Sequence, residues 1–103
     1  MRPLSLQHVR RLLCSLQDHI FETLVKARAR HAATFHHAVA VTAADTIYRI
    51  DRISEEAVCT WFEEHWPKRC PVELVMEGLP DGSVTTFPRG TPLERTQFKC
   101  ILD

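Results

Sequence analysis

The sequence lacks a surplus of either charge. Thirteen Lys and Arg stand against thirteen Asp and Glu in 103 residues, so the formal charge is zero with His neutral. Without a basic excess there is nothing to drive sequence-independent binding to nucleic acid, and nothing to steer the chain toward an anionic membrane. Long apolar runs are missing too; stretches such as Leu12-Leu13-Cys14 are among the longest. A spanning helix needs about twenty apolar residues, and a secretion signal needs an apolar run of roughly 7–15. The first thirty positions carry Arg10, Arg11, Asp18 and Glu22 instead. The expectation is a cytoplasmic chain with no nucleic-acid or membrane partner. No Cys-x-x-Cys pair occurs among Cys14, Cys59, Cys70 and Cys100, which argues against a structural zinc site. These thiols are expected to be reduced and to serve as small, buried or half-buried hydrophobes. Apolar content is ordinary at 45%, so the chain is not of the disordered class. Its length allows one small domain over 1–103 and not two.

What is present falls into two halves of different texture. Leu6, Val9, Leu13, Leu16, Ile20, Leu24 and Ala27 recur in steps of three and four, one stripe of a 3.6-residue period. They predict a helix over about 4–30, with Pro3 suited to its first turn and Ser5 able to cap it. Lys26, Arg28 and Arg30 then fall in its last turns, where cations favour the negative end of the helix dipole. Residues 31–45 lose the period and read as a loop. It carries His31, His36 and His37, whose spacing is not the helical pair that zinc enzymes use. A second helix is predicted over about 46–65, with Asp45 as its N-cap. Ile47, Ile50, Ile53, Ala57, Val58, Trp61 and Phe62 form its apolar face, and Pro67 stops it. Asp51, Glu55 and Glu56 give that helix an acidic face that Arg49 and Arg52 can pair.

From Val72 the pattern turns to strands. Val72–Met76 is short, apolar and β-branched. Leu79-Pro80-Asp81-Gly82 is a turn signal. The predicted strands run over about 72–77, 83–87 and 98–103. The fold class is therefore α/β, or α+β for the chain taken alone: two long helices followed by strands. Two acids share one setting. Glu77 follows one strand and Asp103 ends another. If those strands are parallel neighbours, both carboxylates emerge at the carboxyl edge of the sheet, where ligand sites in α/β folds lie. Paired carboxylate oxygens there suit Mg²⁺ together with a substrate phosphate.

Taken in order, these pieces resemble the N-terminal part of the inositol monophosphatase family, Mg²⁺-dependent and lithium-sensitive phosphomonoesterases of layered α/β fold. The family's "ADxxTxxD" segment stands here as Ala44-Asp45-Thr46-Ile47-Tyr48-Arg49-Ile50-Asp51. Its strand and metal-binding glutamate stand as Leu74-Val75-Met76-Glu77, and the lead into its "DPIDGT" signature as Cys100-Ile101-Leu102-Asp103. The resemblance implies that Glu77 and Asp103 are metal ligands, that Asp51 is the catalytic aspartate holding a water or further metal, and that Mg²⁺ is the cofactor. The sequence departs from the family at Gly78, where a second acid is usual, and at Tyr48, where a threonine is usual. The signature breaks off at Asp103. The implied function is that of an N-terminal segment of a phosphatase acting on a small inositol or sugar phosphate, inactive alone. The other reading of the residues is a complete small α+β interaction module without catalysis, its helix packed on its own sheet or on a second copy as a homodimer.

Overall fold

The computed structural model describes residues 4–35, 43–79 and 84–102. Two helices come first, α1 (Leu6–Phe35) and α2 (Ala43–His65). Three strands follow, β1 (Val72–Met76), β2 (Val84–Phe87) and β3 (Phe98–Leu102), with a single 3-10 turn over Leu93–Arg95 before the last. This is an α+β arrangement. No helix among the described residues is long and apolar enough to cross a membrane.

The helices are longer than their periodicity predicts. No Gly or Pro lies between Pro3 and Pro67, so nothing in that span breaks an α-helix by backbone geometry. The expected loop over 31–45 is therefore corrected at both ends. Residues 31–35 continue α1, and α2 starts at Ala43. Asp45 sits inside α2 rather than at its cap, and Lys26, Arg28 and Arg30 lie before the last turn of α1. His36 and His37 fall outside the described residues. The start of α1 matches expectation: the His8 amide donates to Ser5 Oγ at 3.0 Å, a capping bond of the kind worth about 1 kcal/mol.

Both helices lay their apolar faces on one side of a three-stranded sheet ordered β2-β1-β3. β1 is central, antiparallel to β2 and parallel to β3. Its alternate residues Val72, Leu74 and Met76 are buried, the period-two pattern of a strand covered on one face. From α2, Trp61 and Phe62 are each 1% exposed. Phe62 stacks on Phe87 of β2 with centroids 5.3 Å apart, and Trp66 meets Phe98 of β3 edge-on at 5.9 Å. Leu16 of α1 completes this centre at 2% exposure. Both indoles keep their N–H satisfied, Trp61 donating to Ser15 Oγ at 3.3 Å and Trp66 to the Cys70 carbonyl at 2.7 Å.

The predicted α1 stripe is buried or half-buried from Val9 to Ala27. Leu6 is the exception at 85% exposure, while Leu4, just outside the helix, is buried.

Candidate functional site

The geometry at the carboxyl edge of the sheet follows from one pairing. β1 and β3 run parallel in the register Val72↔Phe98 through Met76↔Leu102. Both strands therefore end at the same level on the same edge. Glu77 leaves β1 there, exposed, at the start of a turn. Asp103 is the next residue after β3 in sequence and falls outside the described residues.

α2 brings further carboxylates to this edge. A cleft of about 360 Å³ is lined by Asp51, Ser54 and Glu55 of α2 together with Glu77, with Ile20, Val58, Met76 and Leu102 as its apolar floor. Of the residues singled out in sequence, Asp51 and Glu77 thus share one cleft although 26 positions apart. Glu55 joins them, a residue read from the sequence only as part of a solvated face. Its signal was the four-residue step from Asp51, which places both on one side of a helix. The Ser54 hydroxyl is not a free nucleophile, since it donates to the Ile50 carbonyl at 2.9 Å.

Gly78 acquires a structural reason. Its φ is +83°, a left-handed conformation that side-chain-bearing residues adopt at a cost. The Glu55 carboxylate also occupies the space in which a Cβ on residue 78 would stand. An acid at 78 would therefore carry the left-handed backbone strain, and would also have to displace the Glu55 carboxylate, the far end of a flexible side chain. The Tyr48 side chain lies outside what the structure describes.

The cleft opens into a shallow groove of about 780 Å³ that shares Asp51 and Glu55 and extends along α2 past Cys59 and Glu63 to Arg89. Arg89 is a residue that the sequence reading passed over. It donates through Nε to Glu63 Oε1 and lies over the Phe87 ring, 5.2 Å from the centroid, so it ties the loop after β2 to α2. The ion pair holds the Arg89 guanidinium above its ordinary range. Burial pushes the Cys59 thiol up, and Arg89 only partly opposes that. Cys59 is therefore a protonated thiol, not an activated nucleophile. Nearer the start of α2, Arg52 pairs with Glu56 at 3.3 Å, the exposed pairing that the charge pattern predicts.

The donor chemistry of the cleft suits a hard divalent cation, because its polar groups are carboxylate oxygens. The described residues alone do not complete a cage: among them no three His, Cys, Asp or Glu groups stand close enough to hold a metal ion. Comparison with family models, curated proteins and solved structures finds no match to the chain.

Proposed function

We propose that this chain is the N-terminal, metal-side segment of an inositol-monophosphatase-like phosphatase. In this reading Glu77 and Asp103 hold Mg²⁺ and Asp51 orients a water at the same edge. The observation that carries it is the parallel register of β1 and β3, which ends both strands level with each other beside Asp51 of α2. The ordered motif set around those positions supports the same reading. The bound Mg²⁺ would supply charge neutralisation for the phosphoryl oxygens and a lowered water pKa. Asp51, on α2, would accept a hydrogen bond from such a water, and Glu77, on the turn that Gly78 permits, would offer its carboxylate oxygens to the metal. The substrate class is a small phosphate monoester, an inositol or sugar phosphate. With only Glu77 and Asp103 as metal ligands, a two-metal centre is incomplete, so the 103-residue chain is expected to bind metal weakly and to show no turnover.

The test is a Mn²⁺ titration followed by NMR line broadening, run beside a phosphomonoesterase assay with Mg²⁺. Broadening centred on Glu77 and Asp51, abolished in Glu77→Gln and weakened in Asp51→Asn, is the expected result. Broadening indifferent to both substitutions would sink the metal assignment. Clear hydrolysis by the wild-type chain would sink the claim of inactivity.

A further inference from the structure

Ser15 of α1 accepts the Trp61 indole N–H of α2 at 3.3 Å, so that flank of α1 faces α2. The opposite flank carries a stripe at helical spacing, from Leu6 through Arg10, Leu13, Phe21 and Leu24 to Arg28. Leu6 and Phe21 are 85% and 69% exposed, and Leu13 and Leu24 are half-buried. On its other side α2 reaches the loop after β2 through Glu63 and Arg89, while Ile20 of α1 shares a cleft with Leu102 of β3. α1 therefore lies over the β3 side of the sheet, and its far flank overhangs the outer edge of β3. The two sheet edges differ. β2 has four residues and runs into Pro88, a short edge closed by proline. β3 has five residues with neither Gly nor Pro, and its charge, Lys99, stands in register with Glu73 of β1. Among the described residues β3 pairs with β1 alone, so alternate N–H and C=O groups along it point outward. Phe98, Cys100 and Leu102, its residues on the helix side, are only half-buried.

We propose that the β3 edge and the far flank of α1 together receive an extended, acid-ended strand of another polypeptide. The unpaired backbone selects the shape, because a second extended backbone is what matches a row of N–H and C=O groups. A strand about 4.8 Å beyond β3 lies beneath the α1 stripe, and its helix-side residues close over Leu13, Leu24 and Cys100. Charge selects the sequence. Arg10 and Arg28 are the charged residues of this flank, and neither has an acid three or four positions away. The two acids of α1, Asp18 and Glu22, fall elsewhere around the helix. The two arginines stand 18 positions apart, about 27 Å along a helix, a distance that an extended chain spans in about eight residues. The partner segment therefore has acids about eight positions apart and apolar residues at alternate places between them. β3 of a second copy does not fit, since the charge within it, Lys99, has the wrong sign for Arg10 and Arg28. The surface is built without Asp51, Glu55 or Glu77, and the inference stands whether or not their cleft binds metal.

The test titrates the full chain, isotope-labelled for NMR, with the peptide Glu-Thr-Val-Thr-Val-Thr-Val-Thr-Glu as probe. Two control peptides carry Lys at both ends, or proline in place of the central valine. The parent peptide is expected to slow amide hydrogen exchange in β3 and to leave β2 unchanged. Its binding should weaken as salt rises. Each control should bind about tenfold more weakly or worse. Arg10→Glu/Arg28→Glu should lose the parent peptide by the same factor and gain the Lys-ended one. The control peptides read the surface without that variant, should it fail to fold by circular dichroism. No binding, protection at β2 instead of β3, equal binding of the proline peptide, or a variant indifferent to the sign of the peptide ends would each overturn the inference. Exchange in β3 that slows with chain concentration alone would name a second copy as the occupant and overturn it as well.

Discussion

Two glycines illustrate how much a single backbone position can carry. Gly78 and Gly90 share the same φ of +83°, so an alanine at either meets left-handed strain of about 1–2 kcal/mol. They differ in surroundings. A Cβ at 90 meets open space, whereas one at 78 meets the Glu55 carboxylate. Gly78→Ala is therefore expected to lose more stability than Gly90→Ala in urea denaturation, and to move Glu55, which Gly90→Ala leaves in place. Equal losses would show that the Glu55 contact contributes nothing. The four thiols also separate at this scale. Cys70 is buried and Cys59 and Cys100 are half-buried, but Cys14 is exposed, contrary to the expectation that all four serve as hydrophobes. Its place on the outer face of α1 explains the difference, because helical phase rather than residue type sets burial there.

Among the elements, α2 does most to join helix layer to sheet. Trp61, Phe62 and Trp66 form a continuous aromatic contact from α1 to β2 and β3. The far end of this cluster is secured by the Trp66 indole, which donates to the Cys70 carbonyl inside the core. Trp66→Phe keeps a ring but removes the donor and leaves a buried carbonyl unpaired. The expected loss is about 1–3 kcal/mol, read as a lower denaturant midpoint at unchanged slope. The helical elements themselves were legible from spacing: the α1 stripe from Val9 to Ala27 and the α2 face from Ile53 to Phe62 are the residues that pack. Their ends were not. Ends are set by breakers and caps, and a span without Gly or Pro offers few of either.

The whole molecule is less compact than its length suggests. Its radius of gyration is 16.2 Å, against about 13 Å for a typical domain of this size. A 30-residue helix at 1.5 Å per residue is about 45 Å long, more than a sheet of four- and five-residue strands can cover. Alkaline pH acts on the molecule as a unit. Burial raises the Cys59 and Cys100 thiols above their ordinary value of 9.0, so the folded chain holds these protons after the unfolded chain has released them. Stability should then be unchanged by these groups below about pH 8.5 and fall as pH rises beyond it. Denaturation midpoints at neutral and at alkaline pH read this directly, and Cys59→Val/Cys100→Val should flatten the alkaline decline. An equal decline in that variant would assign it to other groups.

Local order is what the sequence by itself determined: a helical period through the first half, a strand at Val72–Met76, a stop at Pro67, and acids placed after two strand-like segments. Each rests on contacts between residues a few positions apart, whose spacing is written in the chain. Only the tertiary structure decided that β3 lies parallel beside β1, that Asp51 and Glu77 line one cleft with Glu55, and that Arg89 reaches back to Glu63. Those contacts join residues far apart along the chain, and no periodicity encodes them. They are set when the apolar faces of α1, α2 and the sheet close on one another, and the polar groups at the rim take the positions that closure leaves them.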